Sequence, residues 1–134
     1  EILYRREEGA AEMTKGAAMQ AFFSKFMDAY AASAAPEDVT FPYLTYELIT
    51  SAWDGGEVGL TVNLWFYTTS EAVPNAKAEE ISKALANGGE RLKCDSGYIW
   101  LYPGSPFCQS IKDETDPHIK GRYLNITRVD DTFY

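Results

Sequence analysis

His118 is the only histidine among 134 residues, and the two cysteines, Cys94 and Cys108, are fourteen apart. A nucleophilic site needs a base beside its nucleophile and a third group to orient that base. His118 follows Pro117 in a polar stretch, and neither cysteine has neighbours that would activate it. Their spacing matches neither a zinc pair nor a C-x-x-C redox site, so both read as reduced thiols. Asp113, Glu114 and Asp116 offer oxygen ligands but lack the ligand spacing and central glycine of a calcium loop. They read as a charged loop face, and Asp130 and Asp131 read as solvated. Gly55-Gly56-Glu57-Val58-Gly59 is a turn entering a strand, not a phosphate-cradling loop before a helix. Asn125-Ile126-Thr127 fits the glycosylation pattern but lies inside an expected strand. Tyr98, Trp100 and Tyr102 could stack bases of single-stranded RNA, yet no basic residue lies among them. The residues therefore argue against an enzyme and imply no metal and no cofactor.

Twelve Lys and Arg against twenty Asp and Glu give a formal net charge of -8. An acidic surface disfavours binding of nucleic acid through a basic patch, although DNA could slide along it without sticking. Hydrophobic residues make up 46% and charged residues 24%, the balance of an ordered domain. The length suits a single domain, 1–134, with its own core. No apolar run is long enough for a membrane span, and no secretory signal pattern is visible. Residues 1–12 read as a charged N-terminal extension, with Met13 or Met19 a conceivable native start.

Several elements must position these side chains. From about Ala10 to Ala32, the steps Met19, Phe22, Phe23, Phe26, Met27 and Tyr30 predict an amphipathic helix. Phe41–Thr50 reads as a strand. Val58, Leu60, Val62, Leu64 and Phe66 alternate with Trp65, Tyr67 and polar residues, the period of a strand with one buried face. Trp53-Asp54-Gly55-Gly56 supplies the turn between these two. Pro74–Asn87 reads as a second helix, ended by Asn87-Gly88-Gly89. Gly97–Tyr102 and Gly121–Val129 read as strands three and four, separated by a long connection, 103–120. The expectation is an α+β fold. It has a mixed, mainly antiparallel sheet of about four strands with two helices on one face, in the order α-β-β-α-β-β.

That order, with Asp38-Val39-Thr40-Phe41-Pro42-Tyr43-Leu44-Thr45-Tyr46 opening a strand after a Pro-containing break, resembles tail-terminator or tail-completion proteins of long-tailed bacteriophages and prophages. The resemblance continues through Trp65-Phe66-Tyr67-Thr68, the helix at Asn75 to Leu85 and the last strand, Tyr123-Leu124-Asn125-Ile126-Thr127. It covers roughly residues 19–134. It implies six copies in a ring that ends the tail tube and faces the head connector, with DNA passing through the lumen. The implied location is the virion tail, with assembly in the bacterial cytoplasm, and no catalysis is implied. The N-terminal extension and the 103–120 connection depart from the family pattern.

The expected interface follows from the outward faces of the strands. Trp65, Tyr67, Trp100 and Tyr102 are expected to contact neighbouring subunits, because exposed aromatic patches are seldom left wet. Trp53, Asp54 and Glu57 at the hairpin tip, with Phe107 and Ile111 in the long connection, are expected to reach the tube or connector. A dimeric ligand-binding or regulatory α+β domain, another head-tail connector component, and a small enzyme beside His118 are the competing expectations.

Overall fold

The computed structural model describes residues 13–50, 57–95 and 97–132. The hairpin tip with Trp53 and Asp54, and the extension 1–12, lie outside them. Helix α1, Lys15–Ser24, leads into strand β1, Asp28–Ala31. Strands β2, Tyr43–Thr50, and β3, Glu57–Tyr67, precede helix α2, Ala72–Ala84. Strands β4, Glu90–Cys94, β5, Gly97–Lys112, and β6, Ile119–Thr132, complete the chain. The strands form one mixed sheet in the order β1-β2-β3-β6-β5-β4, curved into a half-barrel. Among the described strands, only the β1–β2 pair is parallel.

Six strands replace the expected four, and the order is α-β-β-β-α-β-β-β instead of α-β-β-α-β-β. Each difference has a local cause. The first helix ends at Ser24, so Tyr30, expected on its stripe, lies in β1, where Asp28–Ala31 pairs with Tyr43–Tyr46. Residues of ordinary helix propensity join a sheet when a partner strand is in place, because tertiary context overrides propensity. β4, Glu-Arg-Leu-Lys-Cys, is too short and charged to declare itself, yet Cys94 is buried and Leu92 packs against the core. Pro103 does not end the third strand. It sits where the β5–β6 register breaks between Pro103 and Cys108, a bulge that tolerates a residue without a backbone donor. Beyond it, β5 runs on to Lys112, so only residues 113–118 of the expected long connection lie outside strands.

Both helices pack on one face of the sheet. Thr14 caps α1, its hydroxyl accepting the Ala17 N–H at 3.1 Å, a contact worth about 1 kcal/mol. α1 buries Met19, Phe22 and Phe23, the two rings meeting edge-on at 5.1 Å. α2 adds Pro74, Ala78 and Ile81, and Asn87, Gly88 and Gly89 turn the chain away with positive φ. Against them lie Leu44, Leu60, Val62, Leu64, Phe66, Ile99, Leu101, Leu124 and Ile126, one core built from alternate strand residues. Two arginines share this face. Arg122 and Arg128 are buried at the ends of the apolar run Leu124–Ile126 on β6.

Candidate functional site: the helix-free face of the sheet

The alternation that buries one face turns Tyr30, Tyr43, Trp65, Tyr67, Tyr98, Trp100, Tyr102 and Tyr123 to the other. These strands follow the sequence pattern: Leu60, Val62, Leu64 and Phe66 of β3 and Ile99 and Leu101 of β5 are buried, so the intervening aromatics face away from both helices.

The aromatics group at two ends of the sheet. At the first end, register sets Tyr43 opposite Trp65, Trp65 opposite Gly121, and Gly121 opposite Ile111. Gly121 has no side chain, and Trp65 and Ile111 close over it. A Cβ there would stand 2.6 Å from Ile111 Cγ1 and 2.8 Å from Trp65 Cζ3. Phe41 joins from the chain before β2, its ring 5.5 Å from Tyr43 and 5.8 Å from Tyr67. Tyr67, 56% exposed, stacks on His118 at 5.3 Å and 16°. Two shallow clefts of ≈ 180 and ≈ 170 Å³ open on either side of Phe41. Tyr30 continues the patch, 6.5 Å from Tyr43. At the second end, the Trp100 indole donates to Gly88 O at 2.6 Å and lies 4.9 Å from Tyr102, with the Arg91 guanidinium 5.3 Å above it.

The expected interface residues therefore differ in availability. Tyr67 is exposed. Trp65, Trp100 and Tyr102 are half-buried, and Trp100 is tied to its own chain by the Gly88 hydrogen bond. Ile111 is half-buried beside Gly121. Phe107 is half-buried and packs against the core. Glu57 opens β3 opposite Val129, its side chain outside the described residues, as are Trp53 and Asp54. Sequence reading missed the roles of Phe41, Tyr43, Tyr30 and His118 in this patch. Tyr43 could have been found, since it alternates with the inward Leu44. His118 could not, because its place depends on the β5–β6 turn meeting the end of β3, where Thr68 N–H donates to His118 O at 2.7 Å.

Acidic groups expected to be solvated have structural partners. Asp113 Oδ1 accepts the Thr115 hydroxyl and the N–H groups of Thr115 and Asp116, and these bonds, the hydroxyl's foremost, hold its pKa below the usual carboxylate range although desolvation opposes them. Asp116 Oδ1 lies 3.2 Å from His118 Nδ1. Burial raises the Asp130 pKa, but the hydrogen bonds and charge of Arg128, at 2.7 and 3.1 Å, together with Lys15 at 3.2 Å, leave it lowered. Cys94 is buried, Cys108 is exposed, and neither is in a disulfide. Among the described residues, no three His, Cys, Asp or Glu side chains group to hold a metal ion.

On the helix side, a cavity of ≈ 720 Å³ lies between Glu71 and the β5–β6 turn, lined by Ile111, Lys112, Lys120 and Arg122 among others. The Arg122 side chain is 5% exposed and donates to Glu71 Oε1 at 2.7 Å and to Asn75 Oδ1 at 2.8 and 3.0 Å. Hydrogen bonding to Arg122, outweighing desolvation, lowers the Glu71 pKa, with Lys120 adding to it.

No protein-family model, curated protein or solved structure matches this chain. The structure is that of a small α+β domain with a one-sided sheet and an aromatic open face. Among the described residues, no helix is long and apolar enough to cross a membrane.

Proposed function

We propose that this protein is a ring-forming structural subunit. In the terms of the family it resembles, it is a tail-terminator or tail-completion protein of a long-tailed phage or prophage. It ends the tail tube and meets the head connector, and DNA passes through the ring without sequence-specific contact. The observation that supports this reading is the helix-free sheet face, where Phe41, Tyr43, Trp65 and Tyr67 form one aromatic patch and Tyr67 stands in solvent. Clustered aromatics of this kind are characteristic of contact surfaces, since burying them against a partner removes large apolar area from water. The net charge of -8 suits a lumen through which a polyanion slides. Assembly places the protein in the virion tail.

Light scattering and negative-stain microscopy of the full chain, alone and with the tail-tube protein from its gene neighbourhood, test the reading. A closed ring is the expected result, with Tyr67→Asp weakening either self-association or tube binding. A chain that stays monomeric at high concentration and with tube protein present refutes it.

The ≈ 720 Å³ cavity favours a second reading, a ligand-binding domain, because its size falls in the range of small-molecule sites. Three of its charged lining residues, Glu71, Arg122 and Lys120, are already paired with one another, which is why the ring reading is preferred.

A further inference from the structure

Among the described residues, three strand edges have no partner strand, the outer sides of β1 and β4 and the far half of β5, and two of them match each other. One is the outer side of β1, the first strand in the sheet order. The other is the far half of β5. β4 pairs only with Gly97–Leu101, so among the described residues no strand lies beyond Cys108–Lys112. Strand edges carry backbone groups on alternate residues that another strand can pair with.

Register carries straight from one edge to the other. Asp28 lies opposite Tyr43, then Trp65, Gly121 and finally Ile111. Ala29 leads through Leu44, Leu64 and Arg122 to Ser110, and Tyr30 through Thr45, Asn63 and Tyr123 to Gln109. Ala31 leads through Tyr46, Val62 and Leu124 to Cys108. β1 is parallel to β2, and three antiparallel steps separate β2 from β5, so β1 and β5 run in opposite directions.

We infer that β1 of one copy pairs antiparallel with Cys108–Ile111 of the next, joining the sheets of successive subunits edge to edge. The inference rests on the self-assembly reading above and states how the copies join. A second copy fits for three reasons. A neighbour in the same orientation brings its β1 to this edge antiparallel, without sliding along the strands. Its four residues face the four of Cys108–Ile111. The alternation of faces is preserved: Ala29 and Ala31 meet Ser110 and Cys108 on the helix side, all small, while Asp28 and Tyr30 meet Ile111 and Gln109 on the open side. A head-to-tail contact of this kind is heterologous, and the curvature of the half-barrel turns the row towards closure. The Ala29 carbonyl already accepts from the Gln20 amide at 2.7 Å, so that acceptor is shared or released on pairing. The aromatic open faces then line up around the ring as one continuous surface.

The pairing predicts a specific cross-link. Directly opposed residues on antiparallel strands have Cα atoms about 4.5–5.5 Å apart, within the span a disulfide bridges. In the full-length Ala31→Cys protein, mild oxidation links each new thiol to Cys108 of the next copy, giving a ladder of multimers on non-reducing gels. Cys108→Ser in the same chain abolishes the ladder, and Tyr30→Cys, facing the other side of the sheet, does not produce one. An Ala31→Cys protein that assembles as the wild type does but stays unlinked overturns the edge pairing and leaves self-assembly standing. A wild-type chain that forms no multimer alone or with tube protein overturns both. An absent ladder, with hydrogen exchange at Cys108–Lys112 protected in the full chain and exposed on removal of residues 1–12, overturns the pairing in favour of the chain's own N-terminal segment.

Discussion

Gly121→Ala tests whether the aromatic patch has the construction described. The new Cβ would stand 2.6 Å from Ile111 Cγ1, and 2.8 and 2.9 Å from two Trp65 ring carbons. Carbon atoms in good contact sit about 3.5–4.0 Å apart, so each contact is short by about 1 Å. Overpacking of this size costs about 1–3 kcal/mol. Two effects hold the cost to the lower part of that range. Trp65 and Ile111 are half-buried on the open face and can move outward, and alanine in place of glycine reduces unfolded-state entropy by about 0.4–1 kcal/mol. The net expectation is a loss of about 1 kcal/mol. With a urea m value of roughly 1–3 kcal/mol/M, the midpoint falls by about 0.3–1 M. In a Trp53→Phe, Trp100→Phe background, the fluorescence reports Trp65 alone, and its emission moves to the red as the ring lifts into water. An unchanged midpoint with unchanged emission would refute the claim that Trp65 and Ile111 close over β6 at Gly121. Loss of ring or tube binding in a stably folded Gly121→Ala protein would tie that packing to assembly.

Two further outcomes are expected. Gly89 has φ +92, and a Cβ there would strike the Leu101 carbonyl and stand 2.6 Å from the Trp100 indole nitrogen, so Gly89→Ala combines backbone strain with overlap. It should destabilise by more than about 2 kcal/mol in chemical denaturation and break the Trp100–Gly88 hydrogen bond, whereas Gly88→Ala, with open space around its Cβ, should cost less. Asp130 has a lowered pKa in the folded state, so its contribution is present above the unfolded value, about 3.9, and is lost as pH falls through the folded value. Asp130→Asn should therefore cost roughly 1–2 kcal/mol near neutral pH, the partial exposure of the carboxylate limiting the figure, and the difference from wild type should vanish in acid.

Much of the architecture was legible because it was local. The period of two in β3 identified its buried residues, Leu60, Val62, Leu64 and Phe66. The aromatic stripe of α1 identified Met19, Phe22 and Phe23, and Asn87-Gly88-Gly89 marked the turn after α2. β1 and β4 escaped because four or five residues carry too few periods to outweigh helix spacing or charge, and their strand state comes from pairing with β2 and β5. Pro103 looked like a strand end because its missing donor is visible in sequence, while the bulge that accommodates it is not. Asp130 looked solvated because a charge held by partners is recognised only through them, and Lys15 lies 115 positions away from it.

The candidate site divides along the same line. Sequence by itself determined that Trp65, Tyr67, Trp100 and Tyr102 leave the buried face, since alternation along a strand is a property of the covalent backbone. Only the tertiary structure decided which of them remain available. Gly121 let Trp65 close over β6, Gly88 fixed Trp100, and Phe41 and His118 gathered round the exposed ring of Tyr67. The matching of the two free edges is likewise a property of the whole sheet. It depends on four successive registers, among them that of β3 with β6, which lie far apart in the chain, and no single stretch of sequence encodes it.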